Sequence, residues 1–286
     1  MLGDIVGPAA GEVVPGEAAL RESVVVLRRV HRFGGRIASL AEAVRRGDAD
    51  AALDALSAGG GDVAWIPLDP AGLQEAEADG AVRPVREATV ESGRRVIEAA
   101  RAGDAAGALE ALGAFRLLCA HRRGPHGVER WMARVESWLA AEIDGFGAGG
   151  VWYPGRPLLV TENDYGLRLY NGDTGVVVAL PGGDGRVAAV FERRGELLEF
   201  SSTRLAAVET VHAMTIHKSQ GSQFDTVAVV LPDPASPILT RELLYTAVTR
   251  ARRRLLLVGV EDSVRAAVSR PIARSSGLRH RLWGDS

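Results

Sequence analysis

The amino-acid sequence predicts an α/β fold, a parallel sheet covered by helices, interrupted by a small antiparallel β-barrel. Three observations lead there. Short continuous apolar runs at 23–27, 63–66, 115–120, 226–231 and 254–260 have the pattern of buried parallel strands. Segments with apolar residues at helical spacing lie between them. Between 150 and 206 the texture changes to strands of about 4–6 residues separated by Gly- and Asn-rich hairpin turns.

In chain order, residues 1–20 are rich in Gly, Pro and Ala and read as a connector, and SVVVL at 23–27 is the first strand. Apolar positions 37, 40, 41 and 44 predict a helix over 36–46, stopped by Gly47-Asp48 and followed by a second helix over 49–56. The strand 63–66 precedes an acidic, loop-like stretch over 69–86, then helices over 88–102 and 104–112 and the strand 115–120. The clearest amphipathic helix is 128–143, with its apolar stripe at 128, 131, 132, 135, 139 and 143; Trp131 and Trp138 on it read as packing residues. Barrel strands are expected at 157–160, 175–180, 187–191 and 197–200, with turns at Asn163-Asp164, Asn171-Gly172-Asp173 and Gly182-Gly183-Asp184-Gly185. After 208 the α/β texture returns, with a strand at 226–231, a helix at 241–249, a strand at 254–260 and a helix at 263–268. The division this predicts is 1–20 connector, 21–149 first part of the α/β domain, 150–207 inserted barrel and 208–286 last part of the α/β domain.

The 286 residues are 47% apolar and 24% charged, with a formal net charge of −2, so any contact with nucleic acid is a local groove and not a global field. One cysteine, Cys119, sits in an apolar run; a disulfide framework or a cysteine-based metal cluster within the chain is excluded, which fits a reducing, cytoplasmic location. No segment has the ~18 apolar residues of a membrane span, and the N-terminus lacks the pattern of a signal peptide, so no membrane partner is expected. Basic charge is nearly all arginine, and Lys218 is the single lysine.

That lysine lies in the first stretch that could hold chemistry, Thr215-Ile216-His217-Lys218-Ser219-Gln220-Gly221-Ser222-Gln223-Phe224-Asp225. It is dense in side chains that can donate to phosphate oxygens. The second is Leu244-Tyr245-Thr246-Ala247-Val248-Thr249-Arg250-Ala251-Arg252-Arg253, helical in pattern and ending in clustered arginines. Those arginines can complement a helix dipole, or Arg250 can neutralise charge on a transferred phosphoryl group. The third is His31-Arg32-Phe33, just beyond the first strand, where parallel sheets bind ligands.

Together these segments resemble motifs IV, V and VI of superfamily 1 helicases, and the best match is the RecD family, the α subunit of exonuclease V. Thr161-Glu162-Asn163-Asp164-Tyr165 and Leu169-Tyr170-Asn171-Gly172-Asp173-Thr174-Gly175 resemble the SH3-like barrel inserted in that family's second motor domain. The resemblance implies a RecA-like parallel-sheet domain and an ATP-driven 5′-to-3′ DNA helicase. By it, Arg32 and Arg250 reach the γ-phosphate, and Gln220, Gly221 and Gln223 lie near the nucleotide. Thr215, His217, Lys218, Ser219 and Asn163 lie near single-stranded or duplex-end DNA, and RecB and RecC are partners. Gln223 departs from the usual Glu, so an altered nucleotide contact is expected.

No Gly-Lys dipeptide exists, so a phosphate-cradling G-x-x-x-x-G-K-[ST] loop is absent from these residues. Asp233 and Glu261-Asp262 read as strand-end turn residues, and no metal ligands are assigned. Leu2-Gly3-Asp4-Ile5 resembles the family's sequence just after motif III. The chain is therefore expected to begin where a first motor domain ends, with the ATP phosphates and Mg²⁺ held by that domain, and to lack ATPase activity alone. A stand-alone or relaxase-linked helicase of the same type, or a non-catalytic DNA- or subunit-binding module, are the alternatives.

Overall fold

A computed structural model describes residues 35–58, 60–69, 80–182 and 185–272. Arg32, the run at 23–27, the connector 1–20 and the motif-like opening at 2–5 lie outside the described residues.

Five strands, β1 (Val63–Ile66), β2 (Phe115–Cys119), β8 (Ala213–Thr215), β9 (Phe224–Val230) and β10 (Ala251–Val258), form one sheet in the order β1-β10-β9-β2-β8. Every pairing in it is parallel. The described helices are α1 (Gly35–Arg46), α2 (Ala49–Ser57), α3 (Arg83–Arg101), α4 (Ala105–Ala114), α5 (Val128–Glu142), α6 (Arg241–Val248) and α7 (Glu261–Ser269). Successive side chains of a strand point to opposite faces, and here both faces are buried. Val227, Val229, Leu255 and Leu257 pack with Ile37, Leu40, Leu53, Leu244 and Val264 from α1, α2, α6 and α7. Ala228, Val230, Leu256 and Val258 pack with Val85, Ile97, Trp131, Val135 and Leu139 from α3 and α5. That explains why these strands read as continuous apolar runs. It is the helix-covered parallel sheet the sequence predicts, and it agrees with the RecA-like domain the resemblance implies.

Local signals end the helices where expected. Gly47, at φ +76°, closes α1 with Gly47 N–H donating to Val44 O and Asp48 N–H to Ala43 O. The Asp48 carboxylate then accepts from Ala51 N–H at 3.0 Å and caps α2. Trp131 and Trp138 are 0% and 2% exposed and meet edge to face at 6.2 Å, so both are packing residues. Cys119 is fully buried, and burial raises its thiol pKa, which makes it an inert core residue.

The inserted sheet is antiparallel, in the order β6-β5-β4-β3-β7. Its strands are β3 (Pro157–Val160), β4 (Thr174–Ala179), β5 (Val187–Arg193), β6 (Glu196–Phe200) and β7 (Val208–Thr210). Leu158, Val177, Ala189, Phe191 and Phe200 fill its inner face. Its other face uses Val176, Val178 and Val190 to pack on Val96, Ala100, Ala108 and Leu112 of α3 and α4. The last strand, β7, begins at Val208, just past the 150–207 range read from the sequence.

Three local features differ from the expectation. The three-residue strands β7 and β8 were not anticipated, because three residues carry no readable period. Helix α3 begins at Arg83 with a proline in its first turn, well inside the stretch read as loop. Arg252 and Arg253 lie on β10 and not in the last turn of α6; they are exposed, at a register shift between Ala251 and Arg254.

Between β7 and β8 lies His212, whose Nε2 is 3.2 Å from the Tyr153 hydroxyl. Burial, then the Arg116 and Arg156 guanidiniums, hold its pKa down to about 3 from 6.5. The unfolded chain binds the extra proton between those values. The contribution of His212 to stability is therefore complete above about pH 6.5 and is lost as pH falls towards 3. Thermal melting followed from pH 7 to pH 4 should decline across this window, and His212→Gln should flatten that part of the profile. An unchanged profile in the variant would show that the imidazole stays solvated.

Candidate functional site

The candidate site is built on the segment 216–223. Cys119 of β2 is level with both Thr215 and Val230, so the segment leaves the sheet at its carboxyl edge. It returns at the amino edge, where Phe224 is level with Ala251. It crosses as a run of tight turns. Ile216 N–H donates to Cys119 O at 2.9 Å, Gln220 N–H to His217 O at 3.2 Å and Ser222 N–H to Ser219 O at 3.0 Å. The Thr215 hydroxyl caps the first turn by accepting from Lys218 N–H. Ile216, fully buried, is the apolar anchor that holds the crossing down.

Arg250 meets the carboxyl-terminal part of this segment, where it returns to the sheet. Helix α6, N-capped by Thr240, ends at Val248. The Arg250 side chain then turns back, with Nε donating to Thr246 O at 3.1 Å and Nη1 to Ser222 O at 2.8 Å. A longer contact of 3.5 Å reaches Ser219 O. The guanidinium therefore complements the negative end of α6 and at the same time grips the two carbonyls that bracket Gln220 and Gly221. Of the two readings of this arginine drawn from the sequence, the contact with Thr246 O is the helix-end one. Gln223 is tied to the same place, its Nε2 donating to Thr249 O at 3.3 Å.

Gly221 has φ +92°, and a Cβ built there would meet nothing within 4 Å. The backbone turn needs glycine, and among the described residues nothing fills the space beside Gly221. Arg250, Gln220, Gly221 and Gln223 are thus brought together; Arg32 lies outside the described residues.

The residues assigned to DNA divide. His217 is exposed and Thr215 half-buried. Lys218 pairs with Glu209 of β7 at 2.6 Å, on the rim of a groove of about 350 Å³ whose floor includes Met132, Leu159 and Met214. Ser219 is 0% exposed and its hydroxyl donates to Ile216 O at 2.7 Å, so it shapes the loop from inside and presents no side chain to a strand. Asn163 lies elsewhere, in the excursion between β3 and β4, where its Oδ1 accepts from Asn171 N–H at 2.9 Å. Beside it stands a residue the sequence reading did not single out. Tyr165 is 75% exposed and meets Tyr170 edge to face at 6.0 Å, with the Arg193 guanidinium over the Tyr170 ring at 4.2 Å. A tyrosine between turn residues in an otherwise small, polar loop was the available signal.

Among the described residues no group of three or more His, Cys, Asp or Glu side chains could hold a metal ion. The Asp233 carboxylate accepts from Ala235 N–H, and Glu261 pairs with Arg265 at 2.7 Å, so both act as turn and helix-start residues. No described helix is long and apolar enough to cross a membrane.

Comparison with known proteins defines the class. The UvrD-like helicase C-terminal domain matches residues 210–258, the stretch holding β8, the crossing loop, α6 and Arg250. Over nearly its whole length the chain is RecD-like in sequence. It is 52% identical to the RecBCD enzyme subunit RecD of Mycolicibacterium smegmatis over 91% of this chain and 44% of that protein. It is 49% identical to the RecBCD enzyme subunit RecD of Mycobacterium tuberculosis over 96% of this chain and 46% of that one. The ATP-dependent RecD2 DNA helicase of Deinococcus radiodurans is 32% identical over 59% of this chain and 24% of its own length. The chain thus spans about half the length of the curated relatives it matches most fully. A solved Pif1 helicase from Bacteroides aligns at 13% identity with a TM-score of 0.38, covering 88% of this chain and 55% of that one, and the fold assignment rests instead on the strand order.

Proposed function

We propose that this chain is the second motor half of an ATP-dependent 5′-to-3′ DNA helicase, the RecD subunit of a cytoplasmic RecBCD complex with RecB and RecC as partners. The observation that supports it is the Arg250 guanidinium, fixed on the carbonyls at 219, 222 and 246 beside the open Gly221 turn. ATP, with Mg²⁺, supplies the free energy when it is held by a first motor domain. The residues here suit the opposite wall of that site. Arg250 would exchange a loop carbonyl for phosphate oxygens and neutralise charge developing on the transferred group. Arg32 is proposed as a second such arginine. Gln220, Gly221 and Gln223 would line the nucleotide, with the Gln223 amide in place of the usual carboxylate.

Because loop 216–223 joins that wall to Thr215, His217 and Lys218, a change at Arg250 would pull on residues proposed to touch the strand. That gives a physical path for coupling hydrolysis to movement along DNA. The 286-residue chain alone is expected to hydrolyse no ATP, and turnover by the purified chain would contradict the division of labour. The higher identity to the two mycobacterial RecD subunits than to the RecD2 helicase favours the subunit reading over a stand-alone motor; co-purification with RecB and RecC tests it.

Asn163 and Tyr165 are proposed to flank the DNA path, with the exposed Tyr165 ring as a stacking surface for a base. Tyr165→Ala should weaken binding of single-stranded DNA by about 5- to 100-fold with little change in melting temperature. Unaltered affinity in a fluorescence titration would remove the ring from the path.

A further inference from the structure

Three elements converge on one carboxylate. Glu209 lies on β7, an edge strand of the inserted sheet, level with Leu159 of β3. Lys218 of the 216–223 crossing brings its Nζ to 2.6 Å from Glu209 Oε1, and Arg122, in the loop after β2, brings its Nη2 to 3.8 Å from Oε2. We propose that Glu209 holds the place of a DNA phosphate: in the free protein it occupies Lys218 and Arg122, and the strand displaces it on binding. This rests on the proposed contact of Lys218 with single-stranded DNA.

The pair is suited to opening. The Lys218 and Glu209 side chains are 35% and 39% exposed, so water and salt screen the attraction and the bond is weak. Arg122, Glu209 and Lys218 all line the groove of about 350 Å³, so both cations are reachable from open space. The root of Lys218 is fixed, because its N–H donates to Thr215 Oγ1 at 3.2 Å, while its four-carbon stem can swing.

The residue type fits an exchange. Lys218 is the single lysine in a chain whose basic charge is otherwise arginine. A guanidinium facing a carboxylate forms two parallel bonds that fix the geometry, whereas an ammonium makes a point contact that passes from one oxygen to another. Phosphate oxygens accept the same N–H bonds as the carboxylate and carry the same sign of charge. Because β7 belongs to the inserted sheet and Lys218 to the crossing of the parallel sheet, displacing Glu209 also releases a tie between the two. Glu129, on the same groove, pairs instead with Arg123 at 3.2 Å, which makes it the control.

Fluorescence titration of the intact protein with a labelled oligothymidylate tests the exchange. At low salt Glu209→Gln should tighten binding about 5-fold, and Glu129→Gln clearly less. Lys218→Gln should weaken binding, and in that background most of the Glu209→Gln gain should vanish, a non-additivity that general repulsion of the strand would not produce. A crystal structure of the unchanged protein with the oligothymidylate should show Lys218 Nζ on a phosphate oxygen and parted from Glu209, so the result does not depend on any variant. If Lys218→Gln weakens binding but Glu209→Gln does not tighten it, or its gain persists without Lys218, the exchange is overturned and the DNA contact stands. If Lys218→Gln leaves affinity unchanged, both fall together.

Discussion

Replacing Arg250 by alanine in the intact protein should lower ATP turnover by about a thousandfold or more while leaving single-strand affinity within a few-fold of its starting value. The magnitude follows from what a positioned guanidinium supplies to phosphoryl transfer. The position follows from the structure, where carbonyls at 219, 222 and 246 hold the group at a loop edge. The Ser222 carbonyl is exposed and the contact with buried Ser219 is long, at 3.5 Å, so deleting the side chain costs about 1 kcal/mol per lost bond, too little to unfold the domain. Arg250→Lys should recover only a small part of the rate, because an ammonium cannot replace a planar fork that grips several oxygens. Steady-state hydrolysis measured with saturating single-stranded DNA, beside a DNA titration, separates the two effects. A loss smaller than tenfold, or an equal loss of DNA binding, would remove the finger role.

Trp131→Ala should destabilise the chain by about 3–5 kcal/mol, lowering its melting temperature by roughly 10 °C. Trp131 is 0% exposed and sits with Leu117, Cys119, Ala228 and Leu256 under the central strands, braced by Trp138 and by the Arg134 guanidinium 5.1 Å from its ring. An alanine leaves a cavity that three strands and a helix cannot jointly close. Below the new melting temperature the variant should bind DNA as before. A folded variant that had lost DNA binding would return this indole to the role of a stacking platform.

The difference between Trp131 and Tyr165 shows what the sequence could tell. Trp131 falls on a helical apolar stripe, and such a stripe must face a core, so its burial was legible. Tyr165 lies in a turn-rich stretch whose exposure depends on how the Asn163, Asp164 and Asp173 side chains fold the loop back on itself, and no period reports that. Strands β1 and β3 were legible to the residue, being apolar runs flanked by turns, whereas β7 and β8 were not, since their pairing with β3 and β2 comes from partners far along the chain. The polar density of 215–223 marked a candidate stretch, but density of donors does not say which ones face outward. Ser219 turned inward, where its hydroxyl joins its own N–H in donating to Ile216 O. Arg250, Arg252 and Arg253 looked alike in a helical pattern; a helix end at Val248 and a bulge in β10 sent one to the loop and two to the surface.

Arg250 and the Gly221 turn are proposed to form one wall of a nucleotide site completed by another domain. A crystal structure of the intact protein with a non-hydrolysable ATP analogue and a single strand tests that directly. It should place the Arg250 guanidinium within hydrogen-bond distance of the γ-phosphate, with its bond to Ser222 O broken and Gly221 against the nucleotide. A γ-phosphate out of reach of Arg250, with that side chain still closed on Ser222 O, would contradict it.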